Sequence, residues 1–179
     1  MSRTIAFLRA INVGGHTVRM EELRAHFAGL GLEGVESFIA SGNVIFATPE
    51  DDPAALEARV EASLRAWLGY PVAVFTRTAA ELGALAAYRA FPPAELEKAA
   101  ALNVALLKTA LGDAAVQKLM GLRTEIDDFA FHGREIYWRC LKKQSESTFS
   151  NAALEKNLGV QSTLRGLNTL QKMAQKYPV

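Results

Sequence analysis

Arg9, Asn12, Gly14, Gly15 and His16 fall close together, where an apolar run gives way to a polar glycine loop. A guanidinium, a carboxamide, an imidazole and accessible backbone N–H groups form a donor set suited to an anion. A second polar group, Ser41 and Asn43 on either side of Gly42, separates two β-rich runs. Loops at the ends of neighbouring strands are common places for ligands, because a rigid sheet positions them while leaving them accessible. The chemistry expected of these residues, joined by Arg165 and Asn168 from the C-terminal half, is binding of a small anionic or phosphate-bearing ligand.

Each residue also has a structural reading. The Gly14-Gly15 loop is neither a dinucleotide fingerprint nor a phosphate loop ending in Gly-Lys-Ser/Thr, and about nine residues separate its strand from the next helix, too many for the tight turns of those motifs. Glycines there also serve a turn with positive φ. Arg9 shares a face with Ile5 and Phe7, so its guanidinium is expected to be partly buried. A buried arginine needs an internal carboxylate, carbonyls or a bound anion. Ser41 and Asn43 suit a turn for local reasons, and Ser41 has no visible base and no Gly-x-Ser-x-Gly elbow.

The remaining reactive side chains do not assemble into a recognisable catalytic set. His16, His26 and His132 lack metal-ligand spacing with one another or with Cys140. His16, in the glycine loop, is the one acid–base or phosphate-contact candidate. Cys140 shares an alternating strand face with Ile136 and Trp138, which predicts a buried structural thiol. Asp127 and Asp128 are adjacent, so a strand sends them to opposite faces. No nucleophile–base pair, metal set or cofactor motif is legible, and the sequence leaves open whether the protein is an enzyme.

The C-terminal region suggests a competing function. Arg139, Lys142, Lys143, Lys156, Arg165, Lys172 and Lys176 are accompanied there only by Glu146 and Glu155. In a final helix, Leu164, Leu167, Leu170, Ala174 and Tyr177 form an apolar stripe, opposite Arg165, Asn168, Thr169, Lys172 and Lys176. A solvated helix face has this pattern, and so does a nucleic-acid-binding surface, which is the alternative functional class.

The elements that must position these groups follow from periodicity and punctuation. Strands are expected at Thr4 to Ala10, Val35 to Ala40, Asn43 to Thr48 and Pro71 to Thr76, with Ser41-Gly42 as a tight hairpin connection. Helices are expected at Met20 to Leu30 and from Asp52-Pro53 to Trp67, the second opened by a capping Asp and a first-turn Pro. The order is β-α-β-β-α-β, a ferredoxin-like arrangement. A helix from Thr78 to Arg89 carries a Thr78–Glu81 capping pair and is broken at Phe91-Pro92-Pro93.

Beyond that break, Ala94 to Ala100 is a short helix, Leu102 to Leu107 a strand and Asp113 to Leu122 a helix. Ile126 to Phe131 and Glu135 to Leu141 form a hairpin, followed by helices at Ser150 to Leu158 and Thr163 to Lys176. The second half therefore reads as a related but incomplete ferredoxin-like unit. The expected division of this α+β chain is 1–77, a helical connection at 78–100, and 101–179.

With 179 residues, 50% hydrophobic and 22% charged, the chain has ordinary globular composition. Its net charge of +1 argues against a polyanion-binding surface spread over the whole molecule. A single cysteine permits no internal disulfide and fits a reducing compartment. No apolar run approaches a membrane span, and Met1-Ser2-Arg3-Thr4 leads directly into strand-like sequence. Cytoplasmic residence without a membrane partner is the expectation.

Three segments resemble a bacterial family catalogued as domain of unknown function 1697. Its members look like Leu-Arg-Gly-Ile-Asn-Val-Gly-Gly, Tyr-Ile-Gln-Ser-Gly-Asn-Val and Arg-Asn-Trp-Asn-Thr. Here the first is Leu8-Arg9-Ala10-Ile11-Asn12-Val13-Gly14-Gly15 and the second Phe38-Ile39-Ala40-Ser41-Gly42-Asn43-Val44. The third, more loosely, is Arg165-Gly166-Leu167-Asn168-Thr169. The resemblance implies an α+β fold in a soluble bacterial protein and brings no reaction. The chain departs from the family pattern at Ala10, Ala40 and Gly166-Leu167, so a surface built on the family's Asn-Trp pair is missing here.

Overall fold

The computed structural model describes residues 1–12, 15–39 and 42–179. Among these residues the fold is mixed α+β, with two four-stranded antiparallel sheets and seven α-helices. The chain divides into two compact units, one formed by 1–83 with 173–179 and the other by 84–172.

In the first unit, β1 (Ser2–Leu8) leads to α1 (Met20–Gly29), β2 (Glu33–Ser37), β3 (Asn43–Thr48), α2 (Pro53–Leu68) and β4 (Val74–Thr78). The strand order is β2-β3-β1-β4. Thus β1 is central and pairs antiparallel with β3 on one side and β4 on the other. Alternation along β1 sends Ala6 and Leu8 to the helix side, where they join Val44, Phe46 and Val74 against Leu23 and Phe27 of α1 and Leu56, Val60 and Leu64 of α2. Each large apolar side chain buried there contributes about 1.5–3 kcal/mol.

Local sequence explains the helix boundaries. Asp52 accepts the Ala54 and Ala55 amides at 3.0 and 3.3 Å, Pro53 occupies the first turn, and α2 closes at Gly69 with φ 81°. Thr78 and Glu81 form the expected reciprocal cap on α3 (Ala79–Ala87), at 2.8 and 3.1 Å.

The second unit contains α4 (Pro93–Lys98), β5 (Ala101–Leu107), α5 (Asp113–Gly121), β6 (Asp127–His132), β7 (Glu135–Cys140), α6 (Asn151–Leu158) and β8 (Ser162–Gly166). Its strand order, β6-β7-β5-β8, matches that of the first sheet position for position. Ala105, Leu107, Ile136, Trp138 and Cys140 pack with Leu119 of α5 and Leu154 of α6. α7 (Leu167–Lys176) ends the regular structure.

Two expectations require correction. Thr163 to Lys176 is not one helix: Ser162–Gly166 pairs antiparallel with β5, and the helix begins at Leu167. The second half therefore has the full β-α-β-β-α-β element order and is not an incomplete copy. Leu164 leaves the expected helical stripe, and the buried residues of α7 and its end are Leu170, Met173 and Tyr177. The physical cause is an available sheet edge: five residues gain a ladder on β5 that an isolated helical turn cannot match.

The strand before Ser41 also ends earlier than expected. β2 stops at Ser37, and the chain closes through Phe38 N–H to the Asn43 carbonyl at 3.0 Å. Ile39 has φ 53° and is 58% exposed, so it is not a strand partner. Ile45 pairs instead with Glu36 and Ile5. The hairpin pairing of β2 and β3 is present, but its connection is longer than Ser41-Gly42.

Candidate functional site

The candidate residues of the first unit gather at the end of its sheet where β1 stops and β3 and β4 begin. Arg9 is the first residue after β1, half-buried, and its amide donates to the Ala73 carbonyl at 2.9 Å, just before β4. Leu8 N–H donates to the Gly42 carbonyl at 2.8 Å, tying the same strand end to the start of β3. Asn43 faces Phe7 across the ladder and is buried, its Nδ2 donating to the Phe38 carbonyl at 3.1 Å. That carboxamide closes its own turn, as the local reading of the sequence expects.

Three contacts organise the described residues on either side of Val13 and Gly14. Asn12 Oδ1 accepts the Val18 amide at 2.7 Å, pinching the loop between its limbs. His16 stacks on Tyr70 with ring centroids 3.9 Å apart, and the Tyr70 hydroxyl donates to the Ile11 carbonyl at 3.1 Å. The loop is thereby laid over the Tyr70–Ala73 segment that also receives the Arg9 amide. Gly15 is exposed with φ 83°, and a Cβ there would meet nothing within 4 Å. Gly14 and Ser41 lie outside the described residues.

Backbone strain marks the same end of the sheet. Among the described residues, Ala10 (φ 52°) and Ile39 (φ 53°) are the non-glycine residues with positive φ, and both belong to these two loops. Left-handed backbone at an L-residue costs free energy, and such positions concentrate at binding and catalytic sites. Gly42 has φ 87°, and a side chain there would lie 3.0 Å from Leu8 Cβ.

Arg165 and Asn168 lie in the second unit, at the junction of β8 and α7. Arg165 pairs in the ladder with Val104, and its Nη1 donates to Thr163 Oγ1 at 2.8 Å and the Leu164 carbonyl at 2.9 Å. Burial lowers its pKa to about 10, which leaves it cationic at neutral pH. Asn168 is exposed.

Cys140 is fully buried beside Ile136 and Trp138, and burial pushes its thiol pKa up. Asp127 is buried, and burial by itself would raise its pKa. It accepts from Trp138 Nε1, Ser147 Oγ and Thr124 Oγ1 at 2.8, 2.8 and 2.9 Å, and these bonds bring the carboxyl pKa below its usual value. His26 shares a 2.7 Å hydrogen bond with Ser63 and stacks on Trp67 at 4.4 Å. His132 stacks on Tyr88. Among the described residues no group of three or more His, Cys, Asp and Glu is placed to hold a metal ion.

The protein family described as "Protein of unknown function (DUF1697)" matches residues 1–137. The chain belongs to that family. The match takes in both N-terminal motifs of this DUF1697 protein, while the Arg165–Thr169 segment lies beyond it. A solved structure, "conserved bacterial protein SP0830 from Streptococcus pneumoniae", is similar over 97% of both chains, at 25% identity and a TM-score of 0.76. The α+β architecture is thus shared beyond the matched segment. A search of curated proteins returns no match. No helix among the described residues is long and apolar enough to cross a membrane.

Sequence reasoning singled out Arg9, Asn12 and His16 and missed Tyr70, the platform under the loop. Tyr70 immediately precedes the strand expected from Pro71, and nothing local links its ring to His16.

Proposed function

We propose that this cytoplasmic DUF1697 protein, built from two ferredoxin-like halves, binds a small anionic or phosphate-bearing ligand at the loop end of its first sheet. Arg9 supplies the cation, the exposed Gly15 supplies a backbone N–H donor, and His16 on its Tyr70 platform supplies a further donor. The observation that carries this reading is the coincidence of left-handed Ala10 and Ile39 with those polar groups on the two loops. A strained backbone here costs stability without adding buried apolar area, as expected where geometry serves a ligand. The proposal is confined to residues of the first unit; Arg165 and Asn168 belong to the second.

The test is calorimetry with inorganic phosphate and pyrophosphate on wild type and Arg9→Ala. Loss of a charge-assisted hydrogen bond worth about 1.5–3 kcal/mol predicts weakening of roughly ten- to a hundred-fold. Equal affinity in the two proteins, or no binding to wild type, sinks the proposal. Tight binding of a short single-stranded RNA that is lost in Lys172→Glu but retained in Arg9→Ala would transfer the function to the basic C-terminal surface.

A further inference from the structure

The second unit contains a cavity of about 260 Å³ that none of the residues above explains. Its walls are Phe91, Leu96, Leu102, Val104, Tyr137 and Leu167. Strand alternation accounts for them. Ala105 and Leu107 of β5 turn to the Trp138 core, so Leu102 and Val104 turn to the opposite face, with Tyr137 directly across from Val104. The Tyr137 hydroxyl donates to the Leu85 carbonyl at 2.8 Å, which fixes the ring. Tyr88, also on the wall, lies 5.3 Å from Tyr137 and stacks on His132 at 4.2 Å. Three aromatic rings, Tyr88, Phe91 and Tyr137, thus stand in an otherwise largely aliphatic wall.

The polar residues lining this cavity include one cation, Arg89, and two carboxamides, Asn103 and Gln171. Arg89 lines it, is exposed, and has no hydrogen-bond or ion-pair partner among the described residues. Gln171 adds a carboxamide at the same cavity. Behind the wall, Arg139 stands opposite Leu102 in the ladder and lies over the Phe91 ring, paired with Glu95. Its Nε is a buried donor with no acceptor among the described residues. Arg89 is thus the cation on the wall, and among the described residues no carboxylate lines the cavity.

The geometry points to a binding site for a small aromatic carboxylate, separate from the anion site of the first unit. The ring lies among Phe91, Tyr137 and the aliphatic wall, and the carboxylate meets the Arg89 guanidinium. Apolar walls with a few oriented polar groups are the usual make-up of a small-molecule pocket. Size limits the class: an apolar cavity of about 150 Å³ holds benzene, so the present volume suits roughly ten non-hydrogen atoms. A fused bicyclic ring fills it with the carboxylate at the arginine. Aromatic walls select a flat ring, and the planar guanidinium fork selects a carboxylate over a neutral amide.

Calorimetry with indole-3-carboxylate and the neutral indole-3-carboxamide tests the assignment. Wild type is expected to bind the acid at submillimolar concentration and to prefer it over the amide by about tenfold. Arg89→Gln, at an exposed position, should fold normally and erase that preference. Leu167→Trp fills the cavity and should abolish binding of both probes; if it does not fold, Arg89→Gln decides alone. No binding of the acid to wild type, equal affinity for acid and amide, or a preference that survives Arg89→Gln overturns the inference. Competition by inorganic phosphate would place the acid at the other site and overturn it as well. The two proposals fail separately, because this experiment does not depend on Arg9.

Discussion

Replacing Gly42 by alanine should be among the most damaging single-methyl changes in the first unit. Gly42 has φ 87°, and its added Cβ would lie 3.0 Å from Leu8 Cβ and 3.1 Å from the Leu8 carbonyl oxygen. Leu8 is buried at the end of the central strand, and its amide already donates to Gly42 at 2.8 Å. Relief of the clash therefore stretches a bond between strand ends. Left-handed backbone costs an alanine about 1–2 kcal/mol, and overpacking a well-filled site adds roughly 1–3 kcal/mol. Reduced freedom of the unfolded chain returns about 0.4–1 kcal/mol. The net loss is about 2–4 kcal/mol, read as a lower midpoint in urea unfolding followed by circular dichroism. Gly15→Ala is the control: its φ is 83°, but nothing lies within 4 Å of the new methyl, so it should lose about 1 kcal/mol or less. Equal destabilisation of the two variants would refute the close-contact argument, leaving backbone strain as the whole effect.

Ala10→Gly should act in the opposite direction, because Ala10 is exposed at φ 52° and its methyl contributes no burial. Relief of strain less the added freedom of the unfolded chain leaves a gain of about 0.5–1 kcal/mol, seen as a melting temperature raised by roughly 1–4 °C; a lower melting temperature would contradict the strain assigned to this loop. His26, whose pKa burial lowers, stacks on Trp67, so tryptophan emission should titrate with a midpoint below the usual histidine value of about 6.5. Its contribution to stability is present above about pH 6.5 and lost as pH falls through the folded-state value. A transition at or above about 6.5, or one that persists in His26→Gln, would remove His26 from that role.

Short-range chemistry was legible in the sequence. Asp52 before Pro53 and Thr78 with Glu81 each start a helix through groups a few residues apart, and both appear in the structure. That Cys140 shares a face with Ile136 and Trp138, and that Asp127 is buried while its neighbour Asp128 is less so, accord with strand alternation. The cluster of polar types after β1 was visible for the same reason.

What the sequence could not show depends on partners distant along the chain. Ser162–Gly166 is a strand because β5, roughly sixty residues earlier, offers it an edge; the segment by itself fits the helical pattern that follows. Ile39 leaves β2 because the turn must close where Gly42 abuts Leu8, a contact with no local signature. His16 found its platform on Tyr70, and Arg9 its backbone acceptor on Ala73. Leu102 and Val104 read as ordinary core residues, and only the tertiary structure places Arg89 beside them at an open cavity. Periodicity along a chain says which side chains share a face, whereas packing against distant segments decides whether that face is filled, strained or left open.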